Sequence, residues 1–236
     1  KLLLLQIRNH TDVRKEEHSS FVKYSGLRAE QIEILNVFDT PDFPQNIIND
    51  FDALFVGGAS EASVLEPGRY RFIKASEALL LYCIDQTIPV FASCFGFQLA
   101  VRALGGEIIR DVKNFEMGTI PIHLTDLAKT DPIFENTSNP FIAVSVHQER
   151  AVASPSNCET LAYTEQCCHA FKVTDKPFWA FQFHPELDYM TLVKRLSIYS
   201  KKYTENNAHL QAVLNNAQET PESNQLVANF VNRVLT

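Results

Sequence analysis

The sequence has few of the features that mark nucleotide-binding or membrane-spanning proteins. It contains only eight glycines, and none forms a Gly-x-x-x-x-Gly-Lys or Gly-x-Gly-x-x-Gly arrangement. Because such glycine-rich loops bring the backbone close to nucleotide phosphates, a fused nucleotide-binding module is not expected. No apolar stretch approaches the ~18 to 20 residues that a membrane-spanning helix requires, so we expect no contact with membrane.

Cationic residues are also scarce. The chain has 21 Lys and Arg against 28 Asp and Glu, which gives a net charge of -7. The sequence shows no basic stripe that could neutralise a series of phosphates. Nucleic acid is therefore not an expected partner.

Paired cysteines are missing as well. The five cysteines are odd in number, form no Cys-x-x-Cys pair, and lie in a chain long enough to fold without disulfides. Residues 1–7 are too short for a signal-peptide core with a cleavage site, and they predict a buried first strand instead. These features favour a reducing, cytoplasmic location.

The apolar pattern predicts a single α/β domain over residues 1–236. In the first half, apolar runs at residues 2–7, 32–37, 53–56 and 88–92 alternate with helix-like stretches, including an amphipathic segment at about 69–85. Runs that are apolar on both faces are typical of parallel strands covered by helices. This half therefore predicts a doubly wound, mostly parallel sheet.

The second half of the chain has a different sequence pattern. From residue 107 to 184, closely spaced β-branched and aromatic runs predict antiparallel strands added to the parallel sheet. Residues 187–236 predict a C-terminal helical portion, with helices at 189–203 and 224–235. The polar stretch between them, residues 204–223, is expected to be a solvated helix or loop.

Cys94 has the surroundings of a reactive thiol. It follows the buried run at residues 88–92, is flanked by small residues, and precedes a predicted helix that stops at Gly105-Gly106. This arrangement is that of a nucleophile elbow, in which a tight turn lifts the side chain above the sheet. The N-terminus of the helix favours a thiolate, and the Phe95 N–H would point to a developing oxyanion.

A general acid and a group that orients it are found in His184-Pro185-Glu186. A predicted strand at residues 178–183 ends at the histidine, and the proline stops the ladder. The imidazole of His184 could act as proton shuttle while Glu186 fixes its tautomer.

A second oxyanion donor is predicted at Gly57-Gly58, which follows the strand at residues 53–56. Glycine allows the backbone to approach a ligand closely, so the Gly58 N–H is a plausible donor. All three segments end predicted strands at the sheet edge where open α/β sheets bind ligands.

These segments together resemble class I, or triad-type, glutamine amidotransferase domains. Residues 92–98 are similar to the family's Gly-x-Cys-x-Gly-x-Gln motif, with Ala92 in place of the first glycine. His184-Pro185-Glu186 matches the family's His-Pro-Glu, and Gly57-Gly58 matches its oxyanion strand, although Ala59 replaces the usual proline. The resemblance covers roughly residues 2–186 and implies a flavodoxin-like fold with Cys94, His184 and Glu186 as a catalytic triad.

Two weaker similarities concern the substrate pocket. Glu116-Met117-Gly118 is similar to the family's Glu-x-Gly segment, and residues 145–149 resemble its Ser-His-x-Asp region with one residue of drift. The resemblance implies that Gly57, Gln98, His147 and Gln148 contribute to substrate binding.

The resemblance implies hydrolysis of the γ-amide of L-glutamine through a cysteine thioester. We expect a free-standing domain, which resembles both the glutaminase domain of GMP synthase and γ-glutamyl peptidases, so hydrolysis of γ-glutamyl peptides or amines is the first alternative. In the first case a separate synthase subunit would accept the ammonia. A catalytically silent regulatory or binding subunit is the second alternative, although an intact triad argues against it.

Neither a cofactor nor a metal site is expected. The remaining cysteines are assigned to packing or surface positions. The adjacent Cys167 and Cys168 would point to opposite faces of a strand, which argues against a metal that they share.

Overall fold

Eleven strands and six α-helices are found in the computed structural model, which describes residues 1–198 and 207–235. The strands are β1 Leu2–Gln6, β2 Ile32–Asn36, β3 Ala53–Val56, β4 Val90–Ser93, β5 Ile109–Arg110, β6 Glu116–Leu124, β7 Phe141–His147, β8 Glu149–Arg150, β9 Cys158–Tyr163, β10 Cys168–Val173 and β11 Phe178–Phe181. The helices are α1 Thr11–Ser25, α2 Phe72–Gln86, α3 Phe95–Ala103, α4 Tyr189–Ile198, α5 Asn207–Asn216 and α6 Pro221–Val234.

Nine strands form one sheet in the order β2-β1-β3-β4-β11-β10-β9-β6-β7. Strands β2, β1, β3, β4 and β11 are mutually parallel, and β10, β9, β6 and β7 extend the sheet by antiparallel pairing. The predicted fold class, a mostly parallel sheet with added antiparallel strands and flanking helices, is confirmed. The short strands β5 and β8 pair separately and were not predicted.

Both faces of the central strands are buried, as their continuous apolar sequences predicted. In β1, Leu3 and Leu5 pack into one core cluster, while Leu2 and Leu4 pack into another on the opposite face. Helices α2 and α3 cover the first cluster, and α1 and α6 lie over the second. The sheet is therefore the middle layer of three.

The helices agree with the sequence prediction in part, and two of them, α1 and α5, were not specifically predicted. Helix α4 begins where predicted and is described to Ile198, while the predicted remainder to residue 203 lies outside the described residues. Within the polar stretch 204–223, residues 207–216 form α5. Helix α1 was not predicted, because its polar sequence has only a weak apolar stripe. None of the helices in residues 1–198 and 207–235 combines the length and apolar character needed to cross a bilayer.

Adjacent leucines in α2 provide a matched test of this packing. Leu80 is 0% exposed within the core and Leu81 is 44% exposed, so only Leu80→Ala should leave a cavity. We expect Leu80→Ala to lower the free energy of unfolding by about 2–5 kcal/mol and Leu81→Ala by less than about 1 kcal/mol in urea titrations. Equal losses for the two variants would contradict the placement of α2.

Candidate active site

Cys94 lies at a strained turn between β4 and α3. Its φ of 49° and ψ of -98° are unusual for a residue with a side chain, and the surrounding structure fixes them. The Cys94 N–H donates to the Phe181 carbonyl at 2.7 Å, and the Cys94 carbonyl accepts from Gln98 N–H at 3.1 Å. The turn therefore has the nucleophile-elbow geometry that the sequence predicted.

Gly96 allows α3 to start directly against the neighbouring strand. A Cβ at this position would lie 2.8 Å from Cγ1 of Val56 and 3.0 Å from its carbonyl oxygen. Since any side chain would push the helix away from β3, glycine is required for the close approach.

His184 and Glu186 lie in the turn that follows β11. The strand ends at Phe181, two residues earlier than predicted, and the His184 N–H donates to the Val144 carbonyl of β7 at 2.8 Å. The Nδ1 atom of His184 lies 2.7 Å from Oε1 of Glu186, and both side chains are buried. The turn is also tied to α6, since Asn224 Nδ2 donates to the Pro185 carbonyl at 2.8 Å.

Neighbouring charges and hydrogen bonds together outweigh burial in setting the pKa values of His184 and Glu186. Burial acts to lower the pKa of His184, but the charges of Cys94 and Glu186 and hydrogen bonds to both side chains outweigh it and raise the pKa to about 9. Burial acts to raise the pKa of Glu186, but the charge and hydrogen bond of His184 lower it to about 2. The arrangement therefore favours an imidazolium at His184, with the Glu186 carboxylate behind the ring.

Gly58 lies against three side chains of the candidate site. A Cβ added there would lie 2.7 Å from Nη2 of Arg8, 2.9 Å from Cε1 of His184 and 3.5 Å from Cβ of Cys94. The backbone of Gly58 is thus beside the thiol of Cys94. Gly57 instead lies against Glu17, whose Oε1 would be 2.6 Å from an added Cβ, so its geometry is that of a packing position.

Arg8 is a residue that the sequence analysis missed. It is fully buried, donates from Nε to Glu17 Oε1 at 2.8 Å and from Nη1 to Ser60 Oγ at 3.0 Å, and interacts electrostatically with Cys94. Its only sequence signal was its position just after the buried strand β1. A buried cation beside Gly58 and Cys94 adds positive potential around the thiol.

A cavity of about 230 Å³ opens in front of Cys94. Its lining includes Phe95, Gln98, His147 and Gln148, four of the residues predicted to contact an oxyanion or substrate. The Gln98 amide donates to the Glu149 carbonyl at 2.8 Å, which fixes α3 against the cavity wall. The rim carries both charges, from Glu61, Glu66, Arg69 and Arg110.

Comparison with known protein families agrees with this geometry. The family model described as glutamine amidotransferase class I matches residues 20–196. The chain belongs to the class I glutamine amidotransferase family. Membership of this family supports glutamine hydrolysis in general terms.

Two archaeal proteins illustrate the sequence similarity within this family. One is a component of the glutamine-hydrolysing GMP synthase of Methanococcus aeolicus, 32% identical over 49% of this chain and 60% of its own length. The corresponding GMP synthase component of Sulfurisphaera tokodaii is 27% identical over 70% of this chain and 80% of its own length. The match thus spans less than two thirds of the Methanococcus protein and more of the Sulfurisphaera protein.

Solved amidotransferase structures share the fold. A glutamine amidotransferase of Thermotoga maritima superposes with a TM-score of 0.77, covering 99% of this chain and 97% of its own, at 15% sequence identity. A glutamine amidotransferase of Methylobacillus flagellatus gives a TM-score of 0.72 at 16% identity, covering 98% of this chain and 93% of its own. At these identities the likeness establishes the fold alone.

The five cysteines of this chain should differ sharply in reactivity. Burial raises the pKa of Cys83, Cys158 and Cys168 to about 12, and burial also raises that of Cys167. Because Cys94 caps the N-terminus of α3 and lines the cavity, brief treatment with iodoacetamide at pH 7.5 should alkylate Cys94 first. Peptide mass spectrometry measures the order, and earlier modification of any other cysteine would contradict the electrostatic assignment.

Proposed function

We propose that this chain hydrolyses the γ-amide of L-glutamine to glutamate and ammonia, with Cys94, His184 and Glu186 as its catalytic triad. The observation that carries the proposal is the contact of Cys94 with an imidazole whose Nδ1 lies 2.7 Å from Glu186, in a member of the class I amidotransferase family. The cavity in front of the thiol supplies room for the substrate.

In the first half-reaction, the Cys94 sulfur attacks the γ-carbonyl carbon and forms a C–S bond. The carbonyl oxygen becomes an oxyanion that accepts hydrogen bonds from the Gly58 and Phe95 N–H groups. As the C–N bond breaks, the His184 imidazolium gives its proton to the leaving nitrogen, and ammonia departs. A γ-glutamyl thioester on Cys94 remains.

In the second half-reaction, neutral His184 removes a proton from water, and the water oxygen attacks the thioester carbonyl. The C–S bond breaks, glutamate leaves, and the thiolate and imidazolium are restored. Glu186 accepts a hydrogen bond from the Nδ1–H of His184 throughout and stabilises the charged ring.

The charged rim suits the amino acid end of glutamine. The α-carboxylate would pair with a cation at the rim, and the α-ammonium with an anion; both signs are present in Arg69, Arg110, Glu61 and Glu66. A γ-glutamyl peptide or amine could also place its γ-carbonyl at Cys94, because it offers charged groups of the same kind to these residues. This feature supports γ-glutamyl hydrolysis as a second candidate activity.

The two relatives suggest where the released ammonia is used. Both are named as components of a glutamine-hydrolysing GMP synthase. By analogy, we propose that this chain delivers ammonia to a separate synthase chain that docks on the active-site edge of the sheet.

The decisive experiment measures ammonia release from glutamine by the purified chain and two cysteine variants. Cys94→Ala should lower the rate by at least about 1,000-fold, because the thioester can no longer form at this position. Cys158→Ala, which removes a thiol outside the cavity, should retain the rate. Ammonia release that Cys94→Ala leaves unchanged would exclude the mechanism. A preference for γ-glutamyl dipeptides over glutamine by more than ~10-fold in kcat/KM would favour the second candidate.

The pH profile of the same reaction tests the role of Glu186. Since the raised pKa of His184 keeps the ring protonated up to about pH 9, activity should fall as pH rises through that value. Glu186→Gln removes the negative charge that raises this pKa, so the alkaline limb should move about one unit lower or more. The maximal rate should also fall by about 10²–10⁴-fold.

The matched control is Glu107→Gln, which changes an exposed carboxylate in the same way. It should leave both the limb and the rate unchanged. An alkaline limb at the same pH in Glu186→Gln and the unchanged chain would refute the proposed charge coupling.

A further inference from the structure

We propose that Glu116, His147, Cys167 and His169 bind one Zn²⁺ ion beside the active-site cavity. The four ligand atoms all lie within 4.8 Å of one another. The proposal rests on these side chains alone and does not depend on glutamine being the substrate. It departs from the sequence-based expectation of no metal site.

The four residues come from three segments that meet at the antiparallel side of the sheet. Glu116 begins β6 and faces His147, the last residue of β7, as its register partner. Cys167 immediately precedes β10, and His169 is the second residue of that strand. Glu116, His147 and Cys167 are 31 and 20 positions apart along the chain, so only Cys167 and His169 form a local pair and the whole group has no local motif.

The ligand atoms converge on one oxygen of Glu116. Its Oε2 lies 2.8 Å from Nε2 of His169, 2.9 Å from Nε2 of His147 and 3.7 Å from Sγ of Cys167. The other oxygen, Oε1, accepts a hydrogen bond from Thr164 Oγ1 at 2.9 Å. The hydroxyl thus holds the carboxylate with its other oxygen directed at the two imidazoles and the Cys167 thiol.

Burial of these groups points to a missing partner. The side chains of His147 and His169 are 2% and 0% exposed, and that of Glu116 is 12% exposed. Neither ring nitrogen of His147 makes a hydrogen bond of acceptable direction to any described residue, despite the short distance to Glu116. Because an unsatisfied buried polar atom is costly, an ion that accepts the Nε2 lone pair would relieve the cost.

The donor set selects zinc among common cations. Two imidazoles, one thiolate and one carboxylate suit a borderline-soft, four-coordinate ion, whereas Ca²⁺ and Mg²⁺ prefer oxygen ligands throughout. Tetrahedral zinc with bonds of about 2.0–2.3 Å places its ligand atoms roughly 3.3–3.7 Å apart. The spacings of 2.8 to 4.8 Å bracket this range, so side-chain shifts of less than about 1 Å would complete the site.

Only one of the two adjacent cysteines takes part. The Cys167 Sγ approaches Glu116, while the Cys168 Sγ lies 3.7 Å from the Ala170 carbonyl on the other side of the strand. The expectation that the two thiols point apart is thus met. The sequence argument against a metal considered only a site shared by both, and a single thiolate with two histidines suffices.

The ion would stabilise the β6–β7 ribbon, which has few backbone hydrogen bonds to the rest of the sheet. Strand β6 pairs with β9 only through His123 and Leu124, so the rest of the β6–β7 ribbon lacks a ladder to its neighbour. Zinc would join the Glu116 end of this ribbon to β10. The His147 ring also forms part of the cavity wall, and β7 accepts the His184 N–H, so the ion would stabilise both the wall and the triad turn.

The test uses the full chain carrying Cys94→Ala, which removes the active-site thiol as a competing ligand. After chelation and dialysis, Co²⁺ is added as a spectroscopic substitute for zinc. We expect binding of one Co²⁺ per chain, tetrahedral visible absorption, and a thiolate-to-metal charge-transfer band in the near ultraviolet. Added Zn²⁺ should remove all of these signals.

Matched variants locate the thiolate. Adding Cys167→Ser should abolish the charge-transfer band, while adding Cys168→Ser should preserve it. His169→Gln should weaken Zn²⁺ binding by more than the 10–100-fold that loss of an outer-shell group costs. A band that persists in Cys167→Ser, or Co²⁺ binding weaker than about 100 μM in the starting protein, would overturn the proposal.

X-ray absorption of the zinc-loaded Cys94→Ala protein keeps the test decisive if a ligand variant fails to fold. We expect one sulfur at about 2.3 Å and three nitrogen or oxygen atoms at about 2.0–2.1 Å. A shell of oxygen atoms alone would identify adventitious surface binding and refute the site.

Discussion

The parallel alignment of β1, β3, β4 and β11 is the constraint on which the rest of the structure depends. It places the carboxyl ends of four buried strands at one edge of the sheet, and the residues that follow those ends meet there. Arg8 follows β1, Gly58 follows β3, Cys94 follows β4 and His184 follows β11. Side chains up to 176 positions apart are thereby brought together by backbone pairing, with the apolar core holding the strands in register.

Burial gives this edge its electrostatic character. Arg8 with Glu17, and His184 with Glu186, are ion pairs almost entirely removed from solvent, so each charge acts strongly on its neighbours. Removing one partner of such a pair would leave an uncompensated buried charge. The same lack of solvent makes the protonation of His184 depend on its neighbours Cys94 and Glu186.

The antiparallel strands also contact the candidate site. Strand β7 accepts the backbone N–H of His184 through Val144 and contributes His147 to the cavity wall. Helix α6 fixes the same turn through Asn224. The turn that carries His184 and Glu186 is therefore held by β7, β11 and α6, which limits the movement of the imidazole relative to the thiol.

The sequence by itself determined the parallel core, the elbow at Cys94 and the candidate triad, because each depends on local signals: continuous apolar runs, a strand-to-helix turn with small residues, and a histidine and carboxylate two positions apart. The catalytic roles of these residues stay predictions. Tertiary structure alone decided the place of Arg8 beneath Gly58 and the convergence of Glu116, His147, Cys167 and His169. These groupings depend on strand order and register across distant segments, and hydrophobic periodicity does not encode which distant polar side chains will meet.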